Sequence, residues 1–227
     1  MAKVIEDPRI LRIKTVEDMM SILKDHGRPL SSFQKGDTIH VWNKMHKGYE
    51  YTLTEAPGQG FDPRFKPWAD PGEMLAIGVF EGKYLNDCLL EFPAEWFLRA
   101  GGLGKLRPGA PGAAEGPSVE VNGLQADSRQ PLSEWKRKGW VPGGAKKASG
   151  SILADPARNP DPRGWFQWYC RYWLGRRIPD LDAEQIGRWR AFTRHGGQVK
   201  ANCRRGDLTC RPRQRQALLQ WSWNPYI

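Results

Sequence analysis

The run GWFQWYCRYWLGRR, from Gly164 to Arg177, constrains the fold of this chain more than any other stretch. Its rings recur at helical spacing. Trp165, Trp168, Tyr169 and Tyr172, with Arg176 a turn further on, share one face, while Phe166, Cys170, Trp173 and Arg177 share the next. A helix that carries rings around most of its circumference has no side to give to water, so it is expected to be enclosed. Arg171 lies among those rings, and its guanidinium must be stacked, paired or directed into a cavity. No acid stands beside it in sequence, so its counter-charge is expected from Asp87, from Glu91 or from a ligand.

The flanking signals predict the other elements. Asp161 followed by Pro162 reads as the start of that helix, which is expected to run to about Arg177. PDLDAEQIGRWRAFTRH reads as a second helix capped by Asp180 or Asp182, and Gly196-Gly197 is expected to interrupt it. CRPRQRQALLQW reads as a third, with Pro212 inside its start. Further upstream, Thr15 and Gly27 bracket a short helix, and Asp70-Pro71 opens another through GEMLAIGVF. EGKYLNDCLLEF reads as a second helical piece, Pro93 begins a third and QPLSEWKRKGW a short basic one. DTIHVW and YEYTLT, separated by NKMHKG, predict a β-hairpin that is marginal alone and must lie on something else. The fold class is therefore mainly α, a compact orthogonal helical bundle with a small N-terminal β-hairpin appendage and long Gly/Pro-rich loops. Residues 1–60 read as an N-terminal helix plus hairpin extension. Residues 61–227 read as the helical core domain, with flexible insertions near 101–130 and 141–160. The connector between the two, with Phe61, Phe65 and Trp68, is expected to be pinned to the core by its rings.

Charge points towards a partner. The chain carries a net charge of +10, and from Asp161 onward twelve Arg and one Lys face five acids. Arginine in that excess suits bidentate contact with phosphate or carboxylate. Arg163, Arg171, Arg176, Arg177, Arg204, Arg205, Arg211, Arg213 and Arg215 are therefore the candidate phosphate-binding residues. Trp165, Trp168 and Tyr172 are candidates for stacking on a base. The plain alternative for the cations is a solvated basic face.

Chemistry is less sharply marked. Lys83, Asp87 and Glu91 fall at i, i+4 and i+8, one stripe if the segment is helical. That stripe is either a surface salt-bridge ladder or a nucleophile and acid/base set in a groove. Cys88 reads as a small buried residue. His195, Cys203 and Cys210 form a weak metal-ligating alternative, because their spacing lacks the close pairs of structural zinc sites. Phosphate-loop, dinucleotide-binding, zinc-protease, kinase and Gly-x-Ser-x-Gly signatures are absent, and no cofactor is implied. No apolar run reaches membrane-spanning length, the opening residues lack a secretory h-region, and the four cysteines are scattered. A reducing compartment, the cytoplasm or, in a eukaryote, the nucleus, is the expectation.

FKPWADPGEMLAIGVFEGKYLNDC, EFPAEWF, QPLSEWKRKGW, DPRGWFQWYCRYWLGRR and CRPRQRQALLQW together resemble a family of uncharacterised proteins of bacterial and fungal genomes. The resemblance implies that these five segments share one fold, and it transfers no catalytic residue. A looser likeness, in helix succession and arginine content only, is to small helix-hairpin-helix DNA-repair domains. Three functions are consistent with these features. The first is a nucleic-acid-associated protein, acting on a base or the backbone if it is an enzyme. The second is a small-molecule enzyme with an anionic substrate in an aromatic pocket around Arg171, and the third a non-catalytic interaction scaffold. Regional charge favours the first.

Overall fold

The computed structural model describes residues 2–5, 10, 12–42, 46–108, 116–146 and 150–227. Part of the hairpin turn and parts of both expected insertions lie outside the described residues. The molecule is mainly helical, with strands β1 (Ala2–Ile5), β2 (Thr38–Trp42) and β3 (Lys47–Thr52) and helices α1 (Val16–His26), α2 (Pro71–Ile77), α3 (Ala94–Gly102), α4 (Leu132–Arg137), α5 (Trp165–Leu174), α6 (Pro179–Ala191), α7 (Thr193–Asn202) and α8 (Pro212–Gln220).

Several of the local signals hold in the structure. Thr15 and Asp18 close a capping box on α1, and Asp70 and Glu73 do the same on α2. β2 and β3 form the expected antiparallel hairpin, with Ile39 opposite Tyr51 and Val41 opposite Tyr49. β1 adds in parallel along β2, so the hairpin belongs to a three-stranded sheet in the order β1-β2-β3. Ile39, Val41, Tyr51 and Leu53 bury their side chains in the same core as the aromatic helix α5.

The link between sheet and helices is at Gly175, which ends α5 at φ 116°. Its carbonyl accepts from the amides of Thr54 (2.9 Å) and Glu55 (3.2 Å), and a Cβ here would lie 2.0 Å from the Glu55 carbonyl oxygen. Only glycine permits that approach. Phe65, from the Pro-rich connector, is at the centre of the core, edge-on to Trp168, Tyr169, Tyr172 and Trp189 at 4.9–5.6 Å between centroids. Trp68 is more exposed and meets Tyr226.

Three local expectations fail. EGKYLNDCLLEF is not helical: Gly78 leaves α2 at φ 106°, and Phe80, Glu81 and Leu85 also take positive φ. Only two short 3-10 turns remain, Phe80–Gly82 and Leu89–Glu91. Asp161 does not cap α5, whose cap is Gly164; its carboxylate is fully buried in an ion-pair network instead. Gly196-Gly197 does not break the chain, and α7 runs straight through both. Packing of α7 on α8 offsets the roughly 1 kcal/mol that each glycine costs a helix. The described part of the first expected insertion is also tied down. Gly123 N donates to Gly78 O at 2.8 Å, Leu124 N to Gln216 Oε1 at 2.9 Å, and Asn122 Oδ1 accepts from Glu81 N at 2.8 Å.

Candidate functional site

The arginines of the aromatic helix point inward. Arg171, wholly buried, donates through Nε and Nη2 to the two oxygens of Glu91, at 2.6 and 3.0 Å, and through Nη1 to Asp161 Oδ1 at 2.8 Å. Arg176 grips the same Asp161 with both Nη atoms, at 2.9 and 2.6 Å, and reaches Tyr49 Oη at 3.1 Å. Tyr51 donates to Glu91 at 3.1 Å, and the Arg171 guanidinium lies 4.8 Å from the centre of the Tyr49 ring. Two cations and two carboxylates thus neutralise one another in the interior. Burial alone raises the pKa of Asp161, but the two arginines outweigh it and hold the carboxyl below its ordinary value. His46, at the edge of the network, is pushed down to about 4 by burial and by the nearby Arg171 charge.

This arrangement corrects several expectations. Glu91 is a counter-ion for Arg171, not an acid/base group, and Asp87 pairs with Arg163. Lys83 joins neither pair, so the helical stripe of Lys83, Asp87 and Glu91 does not exist. Arg177 donates through Nη1 and Nη2 to the main-chain oxygens of Tyr172, Arg176, Gln59 and Gly60 and lies 3.9 Å over the Tyr172 ring. Arg171 and Arg176 are therefore internal ties, and the partly buried Arg163 and Arg177 are held by other groups of the protein. Around Arg171, where an anion pocket was expected, Glu91 and Asp161 themselves accept from the guanidinium. Of the stacking candidates, Trp168 is buried with its indole N–H on Asp182 Oδ1 (2.8 Å), and the Tyr172 hydroxyl accepts from Asp62 N (2.8 Å). Neither ring is accessible to a base.

In the C-terminal region the outcome is mixed. Cys203 and Cys210 form a disulfide, which removes both from any metal site with His195 and departs from the expected set of free thiols. Among the described residues no cluster of His, Cys, Asp and Glu could hold a metal ion. Arg215 is fully buried, donating to the main-chain oxygens of Cys210, Asp207, Pro225 and Ile227 at 2.6–3.0 Å, so it is an anchor for this corner. Arg204, Arg205, Arg211 and Arg213 are exposed. Of these, Arg213 faces Asp127 at 3.6 Å and Arg211 donates to Gln214.

The structure also contains a site that none of the sequence motifs announced. A cavity of about 550 Å³ opens between α4, α6 and the end of α8, walled by Trp135, Trp140, Trp165, Phe166, Phe192 and Trp221. Its size falls within the range of small-molecule sites. Arg188 of α6 lies between Trp140 and Trp221, 5.6 and 5.2 Å from their ring centres. Its only hydrogen bond among the described residues runs to Gln185 Oε1 at 2.8 Å, and it forms no ion pair with any of them. The nearby carboxylate, Glu184, is committed to Ser151 Oγ (2.5 Å) and Ile152 N (3.0 Å). Burial pushes Arg188 down to about 10, only partly opposed by Glu184.

Polar atoms buried without a partner among the described residues gather here. Ser128 Oγ, Trp165 Nε1, His195 Nδ1 and Gln220 Nε2 all belong to cavity residues. All four atoms are closed to solvent, and leaving such groups unsatisfied costs about 1–3 kcal/mol each. His195 lies on the Phe192 ring at 4.3 Å, and burial together with Arg194 lowers its pKa.

Of the residues that sequence reasoning nominated, Trp165 and His195 line this cavity. It missed Arg188, Trp140, Trp221 and Gln220. Glu184 and Arg188 are four residues apart on one helix, a spacing that by itself suits a surface ion pair. No family model, curated protein or solved structure matches this chain. Among the described residues, no helix is long and apolar enough to cross a membrane.

Proposed function

We propose that this protein binds a small, flat organic anion in the tryptophan-walled cavity. The observation that carries this reading is Arg188, a partly buried guanidinium close to two indoles with no carboxylate paired to it among the described residues. An anion in the cavity would supply the missing charge, and a flat ring would exchange water for the aromatic walls. Three arginines line the cavity against a single glutamate, and of the three Arg129 already has Glu81 at 3.0 Å. Arg194 is exposed and adds to the positive field.

The test is a titration followed by intrinsic tryptophan fluorescence, using nucleoside monophosphates, aromatic carboxylates and inorganic phosphate as probes. Flat anions are expected to quench at micromolar concentrations and phosphate alone to bind more weakly. Arg188→Met should keep the apolar contact and lose about 10- to 100-fold in affinity, the usual worth of a charge-assisted hydrogen bond. Equal binding by a correctly folded Arg188→Met variant, or no response to any flat anion, would refute the assignment.

A second reading rests on a separate observation. Four exposed arginines, Arg204, Arg205, Arg211 and Arg213, cluster where the Cys203–Cys210 bond closes the chain on itself, with the two cysteine Cα atoms 5.7 Å apart. Adding one Cα step on either side, Arg204 and Arg211 are no more than about 13 Å apart. A nucleic acid or other polyanion fits such a surface.

A further inference from the structure

The cavity and the arginine loop occupy opposite ends of one helical hairpin. Cys203 is joined to Cys210, Gln214 Nε2 donates to Gln198 Oε1 at 2.6 Å, and a Cβ added at Gly196 would touch Leu218. Each step forward along α7 is thus matched by a step back along α8, the signature of an antiparallel pair. At the open end of this hairpin, Arg194, His195, Gln220 and Trp221 line the cavity. At the closed end the chain exposes Arg204, Arg205 and Arg211. With a helical rise of about 1.5 Å per residue, the eight steps from His195 to Cys203 span roughly 12 Å, and the six from Arg211 to Ala217 roughly 9 Å. Exposed Lys200 stands between the two ends on α7.

From this placement we infer that the flat anion is one nucleotide of a single-stranded nucleic acid, with its base in the cavity and the phosphates of its neighbours on Arg194, Lys200, Arg204, Arg205 and Arg211. The inference rests on the cavity reading above and adds to it the class of ligand. Two features favour it. Stacking walls accommodate the face of any base. Finally, a small carboxylate would leave the cations beyond the cavity mouth unused, while an extended strand crosses that distance within a few nucleotides. The one acid within the loop, Asp207, turns its carboxylate to Thr209 and Cys210 and pairs with none of these cations. A duplex does not fit the arrangement, because its bases are stacked away from the cavity.

The experiment is a binding series across salt concentrations with a nucleoside monophosphate, single strands of two to eight nucleotides in DNA and RNA, the corresponding duplex and inorganic polyphosphate. Two folded variants accompany the wild type: Arg188→Met, and the exposed triple variant Arg204→Ala/Arg205→Ala/Arg211→Ala. Arg213 is left intact because it faces Asp127, and Arg215 because it is a buried anchor. Affinity is expected to rise at least tenfold from monophosphate to the longer strands. Its dependence on salt should steepen with length, and the triple variant should lower the log–log slope by about 2, since each phosphate contact contributes about 0.7 on a single strand. The triple variant should leave the monophosphate affinity unchanged. Preference between the DNA and RNA arms identifies the source of the strand, and either preference supports the inference. Monophosphate binding with no gain on lengthening would overturn it while leaving the cavity reading intact. Polyphosphate or duplex binding as tight as the single strand would overturn it too, as a generic cationic surface. Failure of monophosphate and strand alike would remove the cavity reading itself.

Discussion

Replacing Asp161 by Asn is the most direct way to test whether the arginines of the aromatic helix are internal ties. Asp161 receives three charge-assisted hydrogen bonds, one from Arg171 and two from Arg176, and all three side chains are almost completely buried. The amide keeps the volume and one acceptor oxygen but removes the charge, and it turns an NH2 group towards Arg176 Nη2. Arg171 would retain Glu91, while Arg176 would have no carboxylate and a repelled donor. Breaking a buried pair on one side costs about 3–5 kcal/mol, because the remaining charge is left uncompensated in a poor solvent. For 227 residues the unfolding entropy near the midpoint is about 0.5 kcal/mol per kelvin, so Asp161→Asn should lower Tm by roughly 6–10 °C. Thermal melts followed by near-UV circular dichroism, which senses the packed rings, measure this directly. A shift under about 2 °C would mean that water or another group compensates Arg176, and the network would lose its structural role.

Acid should strike the same region through His46. With its pKa depressed to about 4 against an ordinary value of 6.5, the unfolded chain takes up a proton that the folded chain refuses between those two values. Stability should therefore fall as pH drops from 6.5 to 4, and a His46→Gln variant should show a smaller fall in urea midpoint over that window. At the other end of the scale, anion binding in the cavity should weaken once pH passes about 10, as Arg188 loses its proton; constant affinity up to pH 11 would show that another cation holds the ligand. Reduction of Cys203–Cys210, cysteines seven positions apart in sequence, should cost about 2 kcal/mol and some 4–5 °C in Tm, since Cys88 and Cys170 are buried free thiols. An unchanged melt in reductant would show that Arg215 and its carbonyl partners hold the corner unaided.

What could be read directly from the residues was short in range. Thr15, Asp70, Pro71 and Pro212 mark helix starts because a cap acts within one turn, and alternating apolar residues mark β2 and β3 because a strand's two faces differ at every step. Enclosure of the aromatic helix was also legible, since rings on most of a helix's circumference leave no face for water. So was Arg171's need for a distant counter-charge, with Glu91 among the expected partners. The direction of Arg163, Arg176 and Arg177 was not legible, because an arginine's identity gives its charge and reach, not its side of the surface. Asp161 looked like a cap for the same reason: the signal Asp-Pro is local, whereas the two buried guanidiniums that take its carboxylate arrive only when the chain has folded.

Tertiary structure alone decided the rest. The helical reading of EGKYLNDCLLEF gave way because Gly78 meets the Val121 carbonyl, with a Cβ position only 2.0 Å from it, and the chain must turn away there. The cavity draws its walls from α4, α5, α6, α7, α8 and the loops between them, so no window of sequence contains it. Its essential property, a cation without an anion, depends on Glu184 having turned to Ser151 and Ile152 instead of to Arg188, four residues along the same helix. Sequence composition established that this chain has cations to spare. Which of them the interior neutralises, and which remain for a ligand, follows from the relative positions of groups far apart in the chain, and those positions exist only in the folded molecule.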